Sequence, residues 1–342
     1  MSACPLEIGR AIADRRRDQH GVLTTIAFAV AAAKTMRVCE VTEFGGPEVL
    51  REAQRPWPNA AAGEIVVEIA ATNINPTDIA ARSGAHRRRI PDLEPPFVAG
   101  WDLSGVVSEV NAPDTGFDPG DRVVGMIPWA RIGGRVGSYA QAAAVKPEWL
   151  AARPESLDDI HGATVPLNTL TAHQALELID APAGATLLIT GASGAVGGFA
   201  TQLAVQRGLR VLAVTSDADE DWVASLGPDQ VLARDTDLAD VGPVDAVLDA
   251  VPIGAAAIVP VRAGGVALFT RGSVELPDGL DLRVEKPLVD SDPAALQQLT
   301  ARVADGSLKT RVAMTLDLAE AAEGHRLVER GGLRGKIVLT TG

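Results

Sequence analysis

Thr186-Leu187-Leu188-Ile189-Thr190-Gly191-Ala192-Ser193-Gly194-Ala195-Val196-Gly197 is the stretch that decides the fold. A short apolar run enters a turn of small residues, and a helical pattern starts at once. Val196, Phe199, Ala200, Leu203 and Ala204 fall on one helical face, and Gly208 stands where that helix should stop. Further apolar runs follow at Leu209 to Thr215, Val231-Leu232, Ala246 to Val251, Val266 to Thr270, and around Leu282 to Val289. Strand–helix alternation of this kind predicts an α/β domain with a doubly wound parallel sheet.

The turn predicts a dinucleotide site. A tight strand-to-helix turn leaves backbone N–H groups free at the helix N-terminus, where the helix dipole favours a pyrophosphate. Ala192, Ser193, Gly194, Ala195, Val196 and Gly197 form this cradle. Gly194 admits the phosphates, Gly197 lets helix and strand pack closely, and Ala192 replaces the first glycine of the usual pattern. The second strand ends in Thr215 and Ser216, where an NAD site would carry Asp or Glu. This favours NADP(H), with hydroxyls to donate to a 2′-phosphate. Asp217, Asp219, Glu220 and Asp221 oppose it, and Arg234 is the nearest cation of the next unit, unless it is a solvated loop charge. Phe269 and Thr270 close a later strand, at the sheet edge where ligands bind.

Outward from this region, residues 36–155 hold short strands separated by Gly/Pro turns: Val38 to Phe44, Ile65 to Ala71, Leu103 to Val110 and Arg122 to Gly125. That is the pattern of a small, irregular β-barrel. The whole chain has 342 residues and a net charge of −13 without a basic patch, which argues against nucleic acid and anionic membrane as partners. Two cysteines, Cys4 and Cys39, exclude a disulfide framework and a four-cysteine zinc site. No uncharged apolar run reaches the roughly 18–20 residues that span a bilayer. The single tyrosine, Tyr139, is followed four places on by Ala143, so the Tyr-x-x-x-Lys pair of short-chain dehydrogenases is missing. Residues 1–35 read differently, with Arg15-Arg16-Arg17 before an apolar run from Gly21 to Ala33. A secretory signal is a poor match because Glu7, Asp14 and Asp18 dilute the basic segment. The expectation is a disordered or loosely helical extension, or an over-long start ahead of Met36.

Seven segments in order carry a resemblance. They are Phe44-Gly45-Gly46-Pro47-Glu48-Val49-Leu50, Asn75-Pro76-Thr77-Asp78, Gly100-Trp101-Asp102-Leu103-Ser104-Gly105 and Gly120-Asp121-Arg122-Val123, then Pro166 to Ala172, the glycine turn, and Arg334-Gly335-Lys336-Ile337-Val338-Leu339. From Met36 to Gly342 the chain resembles the zinc-independent quinone oxidoreductase branch of the medium-chain dehydrogenase/reductase superfamily. The resemblance implies a GroES-like β-barrel catalytic domain, residues 36–155 and 291–342, with an inserted Rossmann domain, residues 156–290, and an active site in the cleft between them. Zinc relatives carry Cys near Asn75 and His-Glu after Gly100; Trp101-Asp102 stands there instead, so no metal site is expected.

The implied reaction is hydride transfer from NADPH to a quinone or an α,β-unsaturated carbonyl. By family position Asn75 would donate to the substrate oxygen and Asp78 would organise it; the alternative is that both are turn and cap residues before Ile79. Asn168 and Thr171 would lie near the nicotinamide ribose or carboxamide. Lys336 would face the cofactor, or be a solvated strand charge. Tyr139 is a possible proton donor or a core tyrosine, and His86-Arg87-Arg88-Arg89 would shape the substrate end or be a solvated loop. A homodimer and a cytoplasmic location are expected. Alternatives are a pathway-specific enoyl reductase and a catalytically weak NADPH-binding structural protein.

Overall fold

The structure, a computed structural model, describes residues 13–17, 23–27, 34–272, 274–277 and 279–342. It divides into two units, Met1–Thr35 and Met36–Gly342. In the first unit, Ala13–Arg17 and Leu23–Ala27 pair antiparallel, with Ala13 opposite Ala27. These two stretches are extended and paired, where a disordered or loosely helical segment was expected; the rest of that expectation lies outside the described residues.

In the second unit a six-stranded sheet runs in the order Gln230–Ala233, Arg210–Thr215, Thr186–Thr190, Val244–Asp249, Val261–Phe269, Leu282–Glu285, every neighbouring pair parallel. The order reverses beside Thr186–Thr190, which opens a crevice at the carboxyl ends of the strands. Both faces are covered, so the central strands are apolar throughout rather than alternating. Leu188, Leu212, Val247 and Phe269 pack into one core, and Leu187, Ile189, Val211 and Leu248 into the other. The helix Ala195–Gln206 leaves the glycine turn and stops before Gly208, whose φ of +76° suits a glycine.

The other sheet follows the order Leu150–Ala152, Arg122–Met126, Asp102–Asn111, Glu64–Asn73, Lys336–Thr340, Val312–Asp317, with Ala142–Val145 also on Glu64–Asn73. The C-terminal strand Lys336–Thr340 enters antiparallel to Glu64–Asn73, with Val338 opposite Asn73. The chain therefore leaves this sheet, builds the parallel one, and returns to close beside its own early strand. A third sheet joins Leu50–Pro56, Thr35–Val41 and Phe97–Val98.

Two strand ends differ from expectation. The first barrel strand stops at Val41, not Phe44, because the N–H and hydroxyl of Thr42 both turn to Val49 O at 3.0 Å. The last parallel strand ends at Glu285, since Pro287 has no N–H for a ladder. Among the described residues no helix is long and apolar enough to cross a membrane.

Candidate active site

The glycine turn works by backbone geometry. Gly191, with φ +64°, takes the positive-φ position, and Ala192 is fully buried with its N–H on Val214 O at 3.0 Å. Gly194 caps the helix, and its N–H returns to Gly191 O at 2.9 Å. A Cβ on Gly197 would lie 2.2 Å from Gly191 O, so any side chain there would push the helix off its strand. A Cβ on Gly194 would stand 3.2 Å from the same oxygen, a tight contact with backbone, and close ligand approach is a second reason for that glycine. Among the described residues no protein acceptor takes the N–H groups of Ala195, Val196 and Gly197. With Ser193 beside them, they suit a pyrophosphate.

At the end of the second strand, Thr215 is buried with its Oγ1 unpartnered, and Ser216 donates to Asp219 Oδ2 at 3.2 Å. Two arginines from the C-terminal segment meet Asp219: Arg311 Nη1 at 3.0 Å and Arg334 Nε at 3.8 Å from Oδ1. Arg311 Nη2 also donates to Ser193 O at 3.2 Å, and its guanidinium lies over the Trp222 ring at 4.6 Å. Ser193, Gly194, Ala195, Trp222, Lys309 and Arg311 line one depression here. Asp219 is thus offset by the two arginines, while Asp217, Glu220 and Asp221 are exposed. Arg234 is exposed and has no ion pair among the described residues, so it does not join this cluster. The sequence pointed to a cation in the next strand–loop unit; the observed cations are remote in the chain and carry no local motif.

The second half of the site is a buried polar cluster. Asn75 precedes the helix Pro76–Arg82, and Asp78 Oδ2 accepts from Asn75 N at 2.7 Å. Asn75 and Asp78 form a capping box at the start of that helix, and the Asn75 side chain also reaches beyond it. Its Nδ2 donates to Asp102 Oδ2 at 2.7 Å, and its Oδ1 accepts from Lys336 Nζ at 2.7 Å. Lys336 Nζ also donates to Ile74 O at 2.6 Å. Asp102 accepts further from Asn73 Nδ2 at 2.8 Å and from Leu167 N at 2.6 Å. The last bond ties the helix Pro166–Ile179 to the barrel, so Asp102 is the joint between the two halves of the site. Asn75, Asp78 and Asp102 are fully buried, and Lys336 is 8% exposed, which removes the solvated-charge reading of that lysine.

Burial sets the electrostatics. It lifts the Asp78 carboxyl to about 7 and raises Asp102 as well. Burial lowers the Lys336 ammonium to about 8, against the pull of Asp102 and Asp78 and with help from the Arg271 charge. Tyr139 is fully buried and bonds through its hydroxyl to His325 Nε2 at 3.1 Å, and burial pushes its pKa well up. It is a core tyrosine. His86 pairs with Thr77 Oγ1 at 2.8 Å and Arg87 with Glu94 at 3.1 Å, while Arg88 and Arg89 are exposed.

Asn168 and Thr171 both lie on the helix Pro166–Ile179, next to the Asp102 joint. Asn168 Nδ2 donates to Thr164 O at 3.2 Å and Thr171 Oγ1 to Leu167 O at 2.7 Å, which leaves their oxygens as acceptors. Phe269 is buried in the sheet core. Thr270 follows it at the carboxyl edge, with N–H and hydroxyl both on Asp249 O at 3.1 Å.

Comparison with known proteins agrees with this arrangement. The alcohol dehydrogenase GroES-like domain family matches residues 61–155, and the zinc-binding dehydrogenase family matches residues 226–339. The chain is 28% identical to the 2-methylene-furan-3-one reductase of Solanum lycopersicum, over 91% of this chain and 80% of that one. It is 28% identical to the NADPH-dependent alkenal/one oxidoreductase, chloroplastic, of Arabidopsis thaliana, over 90% and 80%. The quinone oxidoreductase from Coxiella burnetii superposes with a TM-score of 0.81 at 26% identity, covering 90% of this chain and all of that one. The chain is thus similar, over about nine-tenths of its length, to proteins named quinone oxidoreductase and alkenal/one oxidoreductase.

This chain is an oxidoreductase that uses a nicotinamide cofactor. Its residues fit the cofactor, as the open N–H groups of the glycine turn and the orphan Thr215 hydroxyl show. They do not fit the zinc that one matching family is named for. At the positions that the resemblance compares with zinc ligands stand an amide held at both ends, a buried tryptophan, and an aspartate whose two oxygens already accept three hydrogen bonds. Among the described residues no cluster of His, Cys, Asp or Glu is arranged to hold a metal ion.

Proposed function

We propose that this oxidoreductase reduces quinones or α,β-unsaturated carbonyl compounds with NADPH, without a metal. The observation that carries this reading is the Asn75–Lys336–Asp102 cluster standing where zinc ligands would be. Reducing an isolated carbonyl calls for a Lewis acid or a proton donor at its oxygen, whereas a conjugated acceptor spreads the incoming charge into an enolate. The bound dihydronicotinamide supplies the hydride. The glycine turn binds the pyrophosphate; Thr215, Arg311 and Arg334 bind the adenosine ribose and its 2′-phosphate. Asn168, Thr171 and Thr270 orient the nicotinamide end. Asn75 keeps one amide hydrogen beyond its bond to Asp102, and directs it toward the acceptor. Two names among the relatives, a furanone reductase and an alkenal/one oxidoreductase, support the acceptor class.

The test is loss of reduced-nicotinamide absorbance with a panel of quinones and enones, using NADPH and NADH in parallel. Turnover with NADPH and at least one conjugated acceptor is expected. Arg311→Gln should raise KM for NADPH by about tenfold, the worth of one charge-assisted contact, and leave KM for NADH nearly unchanged. An enzyme that binds NADPH yet reduces none of the acceptors overturns the reading.

A further inference from the structure

Asp219 has gathered the donors that a 2′-phosphate needs. It stands in the turn after Thr215, the end of the second parallel strand, where a dinucleotide fold meets the adenosine ribose. Its Oδ1 takes Arg311 Nη1 at 3.0 Å and lies 3.8 Å from Arg334 Nε. Its Oδ2 takes the Ser216 hydroxyl at 3.2 Å. The carboxylate is held there, because the Asp219 N–H donates to Ser216 O at 2.9 Å and the residue is 9% exposed. Two arginines and a hydroxyl around one anionic group are the set that a phosphate monoester binds.

Arg311 has little left to offer while this acid holds it. Nη1 is on Asp219, Nη2 donates to Ser193 O at 3.2 Å, and Nε is buried without a partner. The guanidinium lies over the Trp222 ring, 4.6 Å from its centre, which holds the cation in place. The backbone is anchored too. Arg311 O accepts from Lys336 N at 2.9 Å, and the Gln202 side chain, on the helix Ala195–Gln206, bonds both ways to the Lys309 backbone at 2.7 and 3.0 Å. Arg311 also lines the depression formed with Ser193, Gly194 and Ala195, so it stands between the acid and the glycine turn. The guanidinium therefore serves both anions from one place.

We propose that Asp219 competes with the 2′-phosphate of NADPH for Arg311, and thereby sets how far the protein prefers NADPH to NADH. This rests on the NADPH reading above. The phosphate binds by taking the Nη1 contact from Asp219, which leaves the carboxylate beside a second anion, and like charges brought together cost affinity. NADH carries a hydroxyl at that position and leaves the Arg311–Asp219 pair intact. The acid thus tempers a preference that the arginines create, which makes it a specificity-determining residue.

Calorimetry with two adenosine fragments that differ only in this phosphate, 2′,5′-ADP and 5′-AMP, tests the proposal without turnover. The wild type should bind 2′,5′-ADP more tightly than 5′-AMP. Asp219→Asn keeps the shape and removes the charge, and should tighten 2′,5′-ADP by about tenfold and widen its margin over 5′-AMP. In an Arg311→Gln background the same substitution should gain about twofold or less, because the contested contact is gone. A crystal structure of the wild type with 2′,5′-ADP needs no variant, and should place Arg311 Nη1 on a phosphate oxygen and away from Asp219. An Asp219→Asn protein that binds 2′,5′-ADP no better than the wild type overturns the proposal. So does a gain of equal size with and without Arg311, or a bound structure that keeps the Arg311–Asp219 contact. If neither the wild type nor Asp219→Asn binds 2′,5′-ADP more tightly than 5′-AMP, the NADPH reading itself fails and the role of Asp219 falls with it.

Discussion

Asn75 shows what a single buried amide gains from its neighbours. Lys336 fixes its oxygen and Asp102 its nitrogen, so the side chain cannot flip, and only one amide hydrogen is left to aim. Lys336 is therefore a positioning residue, and its protonation matters. The ammonium keeps its charge below about 8 and loses it above, whereas an unburied lysine would keep it to higher pH. The stability sign runs the other way: the penalty for burying the charge is present below pH 8 and is relieved as pH rises from 8 toward the unfolded value. Activity should accordingly decline above pH 8. Arg does not titrate in this range, so Lys336→Arg should move the alkaline limb of the kcat profile upward. Profiles of the two proteins that keep the same alkaline limb would show that Lys336 does not set it.

The helix Ala321–Arg330 does for the element what Lys336 does for the residue. It lies against the segment carrying Asn75, because a Cβ on Gly324 would stand 2.4 Å from the Ile74 side chain. Glu329 pairs with the buried Arg82 at the end of the helix Pro76–Arg82, and His325 bonds to Tyr139. His325 is fully buried, and burial together with Arg82 pushes its pKa down to about 3. A depressed histidine stays neutral in the fold and binds a proton in the unfolded chain below about 6.5. Its contribution to stability is therefore whole above 6.5 and is lost as pH falls toward 3, at up to about 1.4 kcal/mol per pH unit. His325→Gln should lower stability at pH 7 by about 1–3 kcal/mol through the lost contact, and flatten the acid slope relative to wild type. Urea denaturation at pH 7 and pH 5 measures both. Equal losses for the two proteins between those pH values would remove His325 as the acid-sensitive group.

At the scale of the molecule, the strand Leu282–Glu285 is an edge of the parallel sheet that no strand among the described residues pairs, with Val284 40% and the nearby Leu288 48% exposed. An open apolar edge is a template for another strand, and a second copy of the chain is the occupant proposed here. Light scattering should give a dimer that Val284→Lys converts to monomer; a monomeric wild type ends that proposal. The strand–turn–helix from Thr186 to Gly197 was readable in the sequence because its determinants are local: apolar runs, helical spacing, and glycines that no side chain can replace. Asn75 and Asp78 were readable as a pair for the same reason, three residues apart at a helix start. Their partners were not. Lys336 reaches Asn75 only because the C-terminal strand pairs with Glu64–Asn73, and Arg311 reaches Asp219 only because the same return brings the C-terminal segment to the glycine turn. The sequence by itself determined the dinucleotide fold and lacked the ligands for zinc. The tertiary structure alone decided which charges meet in the cleft, because a charge acts through distance in space and a chain that leaves a sheet and returns to it sets that distance without any local motif.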